Sequence, residues 1–122
     1  MRRDTIHYIL LMFIVCTLNS CGPEADIPAN AEYGKGAEIK VFKFYADWCG
    51  PCQAMKPEYE KVKKLYPHVE FYEVDFDKNR DKAVQFGIES VPFVIRLKNR
   101  KEVKKNLGYM SRNDLVRFIE ND

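Results

Sequence analysis

A strand-like run that leads directly into a pair of thiols and then into an amphipathic helix limits this chain more than any other feature. Residues 39–45, IKVFKFY, are β-branched and aromatic with two lysines inside, the pattern of a central strand covered on both faces. Shortly after come Cys49 and Cys52. Behind them Met55, Tyr59, Val62 and Tyr66 recur at helical spacing, while Glu58, Glu60, Lys61, Lys63 and Lys64 take the opposite side. Pro57 within that stretch predicts a kink. Cys49 therefore falls at a helix start, where unpaired N–H groups and a partial positive charge stabilise a thiolate. It should be the attacking sulfur, with a depressed pKa. Cys52, one turn inside, should be shielded and attack later.

The remaining pattern alternates strands and helices. Residues 69–76, VEFYEVDF, read as a strand, and 77–87 as a short helix with Ala83, Val84 and Phe86 inward, closed by Gly87. Residues 91–97 and 102–107 flank a turn at Asn99 and Arg100, which predicts an antiparallel hairpin on the sheet edge with a turn that lacks glycine. Ser111 and Asp114 make a capping box, and Leu115, Phe118 and Ile119 form the stripe of a last helix. The order β-α-β-α-β-β-α implies an α/β fold, a mixed sheet of about four strands with helices on both faces. A length of 122 residues fits one domain, and 46% hydrophobic content is enough for a core. The formal charge of +2 is spread along the chain without a basic block, so nucleic acid is not an expected partner.

The N-terminus points to a compartment. Arg2 and Arg3 precede a mostly apolar run, residues 6–18, which has the form of a secretory signal and is shorter than the ~20 residues a membrane span needs. It ends in Leu18-Asn19-Ser20-Cys21, which resembles the bacterial lipoprotein box; a plain cleavage site beside a chance cysteine is the alternative. The division expected is a lipoprotein signal peptide at 1–20, a lipidated Cys21 with a linker through 38, rich in Gly, Pro and Ala, and the domain at 39–122. Cys16 would then leave with the signal, and only Cys49 and Cys52 would remain as thiols.

Around the dithiol the chain resembles the thioredoxin family. The resemblance rests on FYADWCGPC, Pro57, Asp75 and Asp77 at the end of the next strand, Val91-Pro92, the hairpin, and Gly108 before the last helix, and it covers about residues 39 to 122. It implies a thioredoxin-like fold and a redox-active Cys49–Cys52 pair. The family's cis-proline maps onto Pro92, with the Val91 backbone beside the disulfide to pair with an extended substrate segment. Trp48, Gly50, Pro51 and Gly108 would complete the contact surface. No cofactor and no metal are implied: the sulfurs carry both electrons, and tetrahedral zinc would find only His68 as a further ligand in the mature chain.

One position pair departs from the family, whose members usually carry a buried aspartate six residues before the first cysteine and a lysine on the neighbouring strand. Here these are Lys43 and Glu73, with the charges exchanged. Alternation puts both on apolar strand faces, where pairing is the remedy for an otherwise costly ion. Two readings stand open: a proton relay under Cys52 with Glu73 as the carboxylate, or a purely structural salt bridge or snorkelling pair.

The reaction implied is thiol–disulfide exchange. The dipeptide Gly50-Pro51 favours a reductase over an oxidase or isomerase, since oxidising relatives tend to carry a histidine there. An oxidising compartment supplies no reductant of its own, so a membrane-embedded thiol carrier is the expected electron donor. Protein disulfides are the expected clients, with apocytochromes as an alternative, and a monomer is the expected state. A lipid-anchored module that holds clients without using its thiols is the rival from outside enzymology. The location expected is the bacterial cell envelope, facing the periplasm or exterior.

Overall fold

The computed structural model describes residues 33–122, which run β1 (Ile39–Tyr45), α1 (Gly50–Leu65), β2 (Val69–Asp75), α2 (Arg80–Gln85), β3 (Phe93–Lys98), β4 (Lys101–Leu107) and α3 (Arg112–Glu120). The strands form one mixed sheet in the order β2-β1-β3-β4. β1 is parallel to β2 and antiparallel to β3, and β3 and β4 make the expected antiparallel hairpin. Residues 1–20 and Cys21 lie outside the described residues.

Period-two alternation along β1 divides its side chains between two cores. Ile39 and Val41 meet Met55, Tyr59, Val62 and Tyr66 of α1 and Leu115, Val116, Phe118 and Ile119 of α3. Phe44 points the other way, into a cluster with Val74, Phe76, Ala83, Ile88 and Ile95, and Phe42 packs at its margin. Helices thus cover β1 on both sides, as its composition predicts. Each fully buried side chain of this size contributes roughly 1.5–3 kcal/mol from area removed from water.

The short helix corrects one expectation. Ala83 is buried and Phe86 half-buried, but Val84 is 78% exposed. Consecutive helical residues lie ~100° apart, so the inward stripe set by Ala83 and Phe86, three apart, turns Val84 to solvent. Gly87 ends the element at φ 69°, as expected.

The hairpin loop is two residues, and both Asn99 (φ 51°) and Arg100 (φ 67°) are left-handed, the arrangement that matches strand twist. Asparagine tolerates that region and arginine pays for it. A tertiary clamp compensates: the Asn99 N–H donates to the Glu38 carbonyl at 2.7 Å, and the Asn99 side chain accepts from the Glu38 N–H at 3.1 Å. Residues just before β1 are therefore packed. Tyr33 and Ala37 abut the first core, and the Tyr33 ring meets Tyr66 edge-on at 6.1 Å.

Arg96 is fully buried on the β3 face that carries Val94, a core charge that the sequence reading did not mark. Its guanidinium donates to the carbonyls of Phe118 and Ile119 at the end of α3 and pairs with Asp122. A cation there satisfies orphan carbonyls at the negative end of a helix dipole.

Both halves of the Ser111–Asp114 capping box form. Ser111→Ala should cost about 1 kcal/mol in urea unfolding. The Ser111 hydroxyl and then its N–H hold the Asp114 carboxyl below the usual aspartate range. A depressed folded pKa contributes stability that is full above that range and lost as the pH falls through it. The stability gap between the native protein and Asp114→Asn should therefore narrow in acid, as read from urea midpoints at neutral pH and at pH values well under the ordinary aspartate range.

Candidate active site

β1 ends at Tyr45, and Ala46, Asp47 and Trp48 carry the chain to Cys49, the N-cap of α1. The Cys49 sulfur accepts a hydrogen bond from the Cys52 N–H at 3.3 Å, the place an N-cap oxygen would hold. Gly50 and Pro51 take the first helical positions, where a proline loses no helical hydrogen bond, and no acidic side chain occupies the first turn. The positive end of α1 is therefore capped by the Cys49 sulfur, with no first-turn carboxylate beside it.

Cys49 and Cys52 are joined in a disulfide with Cα atoms 5.2 Å apart. Both residues are nearly closed off, at 5% and 3% exposure, so exposure does not separate an attacker from a shielded partner in this oxidised form. Position separates them. Cys49 caps the helix, and Cys52 lies inside the first turn and lines a cavity beneath it.

Beside the disulfide, Val91 packs against the cluster formed by Ala46, Cys49 and Cys52. The Val91–Pro92 bond is cis, and Pro92 is buried. The Gly108 N–H, in a residue at φ 104°, donates to the Pro92 carbonyl at 2.8 Å and ties the end of β4 to this loop. Trp48 is 67% exposed, at the rim. Its indole N–H donates to Asp77 at 2.8 Å, and Asp77 also pairs with Arg80 at 2.9 Å. That fixing of Trp48 by the segment after β2 was not read from the sequence.

Below the dithiol, Lys43 and Glu73 are direct register partners on β1 and β2 and form an ion pair at 2.5 Å. Lys43 is the inner ion, its side chain 2% exposed against 29% for Glu73. Its ammonium lies 4.3 Å from the centre of the Tyr59 ring. Burial pushes the Glu73 carboxyl up, but the hydrogen bond and charge of Lys43, helped by Lys63 and Glu60, outweigh it and hold the group below the ordinary glutamate range. A cavity of about 140 Å³ joins this pair to Cys52, with Tyr45, Asp47, Gln53 and Lys56 as its other walls. Lys56 follows Cys52 by four residues, a helical spacing that could have marked it, whereas Gln53 adjoins Cys52 and carries no such signal. The Tyr59 hydroxyl shares its one proton between the carbonyls of Val41 and Tyr72, at 3.2 and 3.1 Å, linking α1 to both strands that bear the pair. Burial, with Glu73 and Glu60 adding, keeps that hydroxyl protonated far above its usual range.

The sequence model of one known family, Thioredoxin, matches residues 30–121. A thioredoxin of Chlamydia trachomatis is 36% identical over 81 residues, covering 66% of this chain and 79% of that protein. A thioredoxin of Borreliella burgdorferi is 31% identical over 87 residues, covering 70% and 74%. Among solved structures, thioredoxin-2 of a malaria parasite, described as a component of that parasite's protein secretion machinery, aligns with a TM-score of 0.67 at 32% identity, covering 70% of this chain and 84% of that one. A thioredoxin of Halobacterium salinarum aligns with a TM-score of 0.62 at 27% identity, covering 70% and 78%.

The bridging role of Tyr59 is open to a direct check. Tyr59→Phe keeps the ring under Lys43 and removes only the hydroxyl, and it should cost about 1 kcal/mol in urea unfolding.

Proposed function

We propose that this chain, which belongs to the thioredoxin family and is a thiol–disulfide oxidoreductase, reduces protein disulfides from a lipid anchor in the cell envelope. The observation that carries the chemistry is a closed Cys49–Cys52 disulfide at the N-cap of α1, with the Val91–Pro92 loop on one side and Trp48 at the rim. In the reduced protein the Cys49 thiolate attacks one sulfur of a client disulfide. A mixed disulfide forms, the client bond breaks, and its other sulfur leaves as a thiolate. Deprotonated Cys52 then attacks the Cys49 sulfur. This forms the Cys49–Cys52 bond and releases the second client sulfur, which has thereby gained the second of two electrons.

The client would lie as an extended segment along the Val91 backbone, with Trp48, Gly50, Pro51 and Gly108 around it. Reduction is the favoured direction because Gly50-Pro51 places no histidine between the cysteines to stabilise the Cys49 thiolate further. The envelope location rests on Arg2, Arg3, the apolar run at 6–18 and the box ending in Cys21. Outside the cytoplasm the two electrons must be restored by a dithiol donor, and a membrane-embedded thiol carrier fits that role. An acyl anchor on Cys21 would hold the domain beside that carrier at a raised effective concentration.

Cys49→Ser should abolish reduction of insulin disulfides by a dithiol donor. Cys52→Ser should keep the first attack and accumulate mixed disulfides with envelope proteins. A Cys49→Ser protein that still reduces insulin at the native rate would overturn the chemistry. A redox potential as oxidising as that of an oxidase, near −120 mV, would overturn the direction. Cys21→Ser should move the protein from the membrane to the soluble fraction, and its staying with the membrane would overturn the anchor.

A further inference from the structure

We propose that the Lys43 ammonium poises Cys52 for its resolving attack as a buried positive charge that stabilises the thiolate, and that Glu73 holds that ammonium in place instead of taking the proton. The inference rests on the reading of Cys52 as the resolving sulfur, and it concerns how that sulfur becomes ionised.

The geometry carries the argument. Lys43 from β1 and Cys52 from α1 line one cavity, and Glu73 closes it from β2. The remaining charged walls are Asp47, from the loop before the helix, and Lys56, one turn beyond Cys52, and both are exposed. Val91, which packs against the disulfide, and Pro92 are themselves uncharged. Lys43 is thus the one fully buried charge among the walls. A charge away from water acts through a lower effective dielectric than one that solvent screens, so the inner ion outweighs the outer one at the buried sulfur.

Glu73 is badly placed to serve as a base. Its carboxylate is already committed to Lys43 at 2.5 Å, and it sits on the solvent side of the pair. Lys43 and its neighbours hold that carboxyl below the usual range, whereas an efficient base has a pKa near the working pH. The proton of Cys52 has another way out. A polar-walled cavity of about 140 Å³ admits water, and water can carry the proton to bulk solvent. The balance is then simple: Cys52 loses its proton to water, its thiolate displaces the client sulfur from Cys49, and the departing thiolate is reprotonated from solvent.

The test uses the full chain carrying Cys49→Ser, with alkylation of Cys52 by iodoacetamide followed residue by residue by peptide mass spectrometry across pH. Adding Lys43→Met should raise the Cys52 midpoint by about one pH unit. Alkylation at neutral pH would then be about tenfold slower. Lys43→Arg should keep the midpoint, and Glu73→Gln should lower it, since a negative charge is removed. With Cys16 and Cys21 replaced by serine and Cys49 and Cys52 both present, dithiobisnitrobenzoate releases one chromophore on attack by Cys49 and a second on attack by Cys52. Glu73→Gln should leave the second release as fast as in the native chain or faster.

An unchanged midpoint in Lys43→Met would overturn the proposal, as would a second release slowed by Glu73→Gln, the signature of a carboxylate base. Should Lys43→Met alone fail to fold, the neutral pair Lys43→Met with Glu73→Gln decides: a midpoint above the native one supports the proposal and an equal midpoint refutes it. Absence of any second release from the native chain is a separate result, and it would remove the resolving role of Cys52 itself.

Discussion

Burial of β1 on both faces is the constraint from which the rest follows. Its alternation is fixed by Ile39 and Val41 on one side and Phe44 on the other, and a shift of one residue would turn all of them the wrong way. With that register set, Lys43 has no choice of face. It must enter the core under α1, and β2 must supply the opposite charge at the matching register position, which Glu73 does. The same strand, at its end, delivers Cys49 to the start of α1. One element thus positions both Cys49 and the charge beneath Cys52.

Two buried cations share the sheet face covered by α1 and α3, and they are compensated by different means. Lys43 is met by a cross-strand carboxylate. Arg96 is met largely by backbone, through the carbonyls that end α3, and by Asp122 at the surface. The difference follows from donor geometry. A guanidinium spreads several N–H groups over a helix end, whereas an ammonium concentrates its charge on one nearby acid. Arg96 fastens α3 to the sheet. Lys43 lines the cavity that Cys52 also lines.

Much of this was legible in the chain itself where a local rule carried the information. The stripe Met55, Tyr59, Val62 and Tyr66 is buried as its spacing predicts, and the Ser111–Asp114 box closes in both directions. Local rules failed where two of them competed or none applied. Val84 is as apolar as a core residue, but in a helix of six residues the angular position set by Ala83 and Phe86 prevailed over hydrophobicity. The turn at Asn99 and Arg100 lacks the glycine its backbone favours and is held instead by Glu38, which belongs to the segment before β1. Arg96 reads like any strand-edge cation until the end of α3 is placed above it.

The sequence by itself determined the order of elements, the strand-to-helix step at Cys49, the hairpin and the apolar stripes of the first and last helices, because each depends on periodicity or on residues a few positions apart. Tertiary structure decided what required distant segments to meet. It brought Val91 to the disulfide, fixed Trp48 by Asp77, and enclosed a cavity between Cys52 and an ion pair whose inner member is the lysine. Which of two paired ions is the buried one depends on how helix and sheet close over them, and no pattern along the chain encodes that depth.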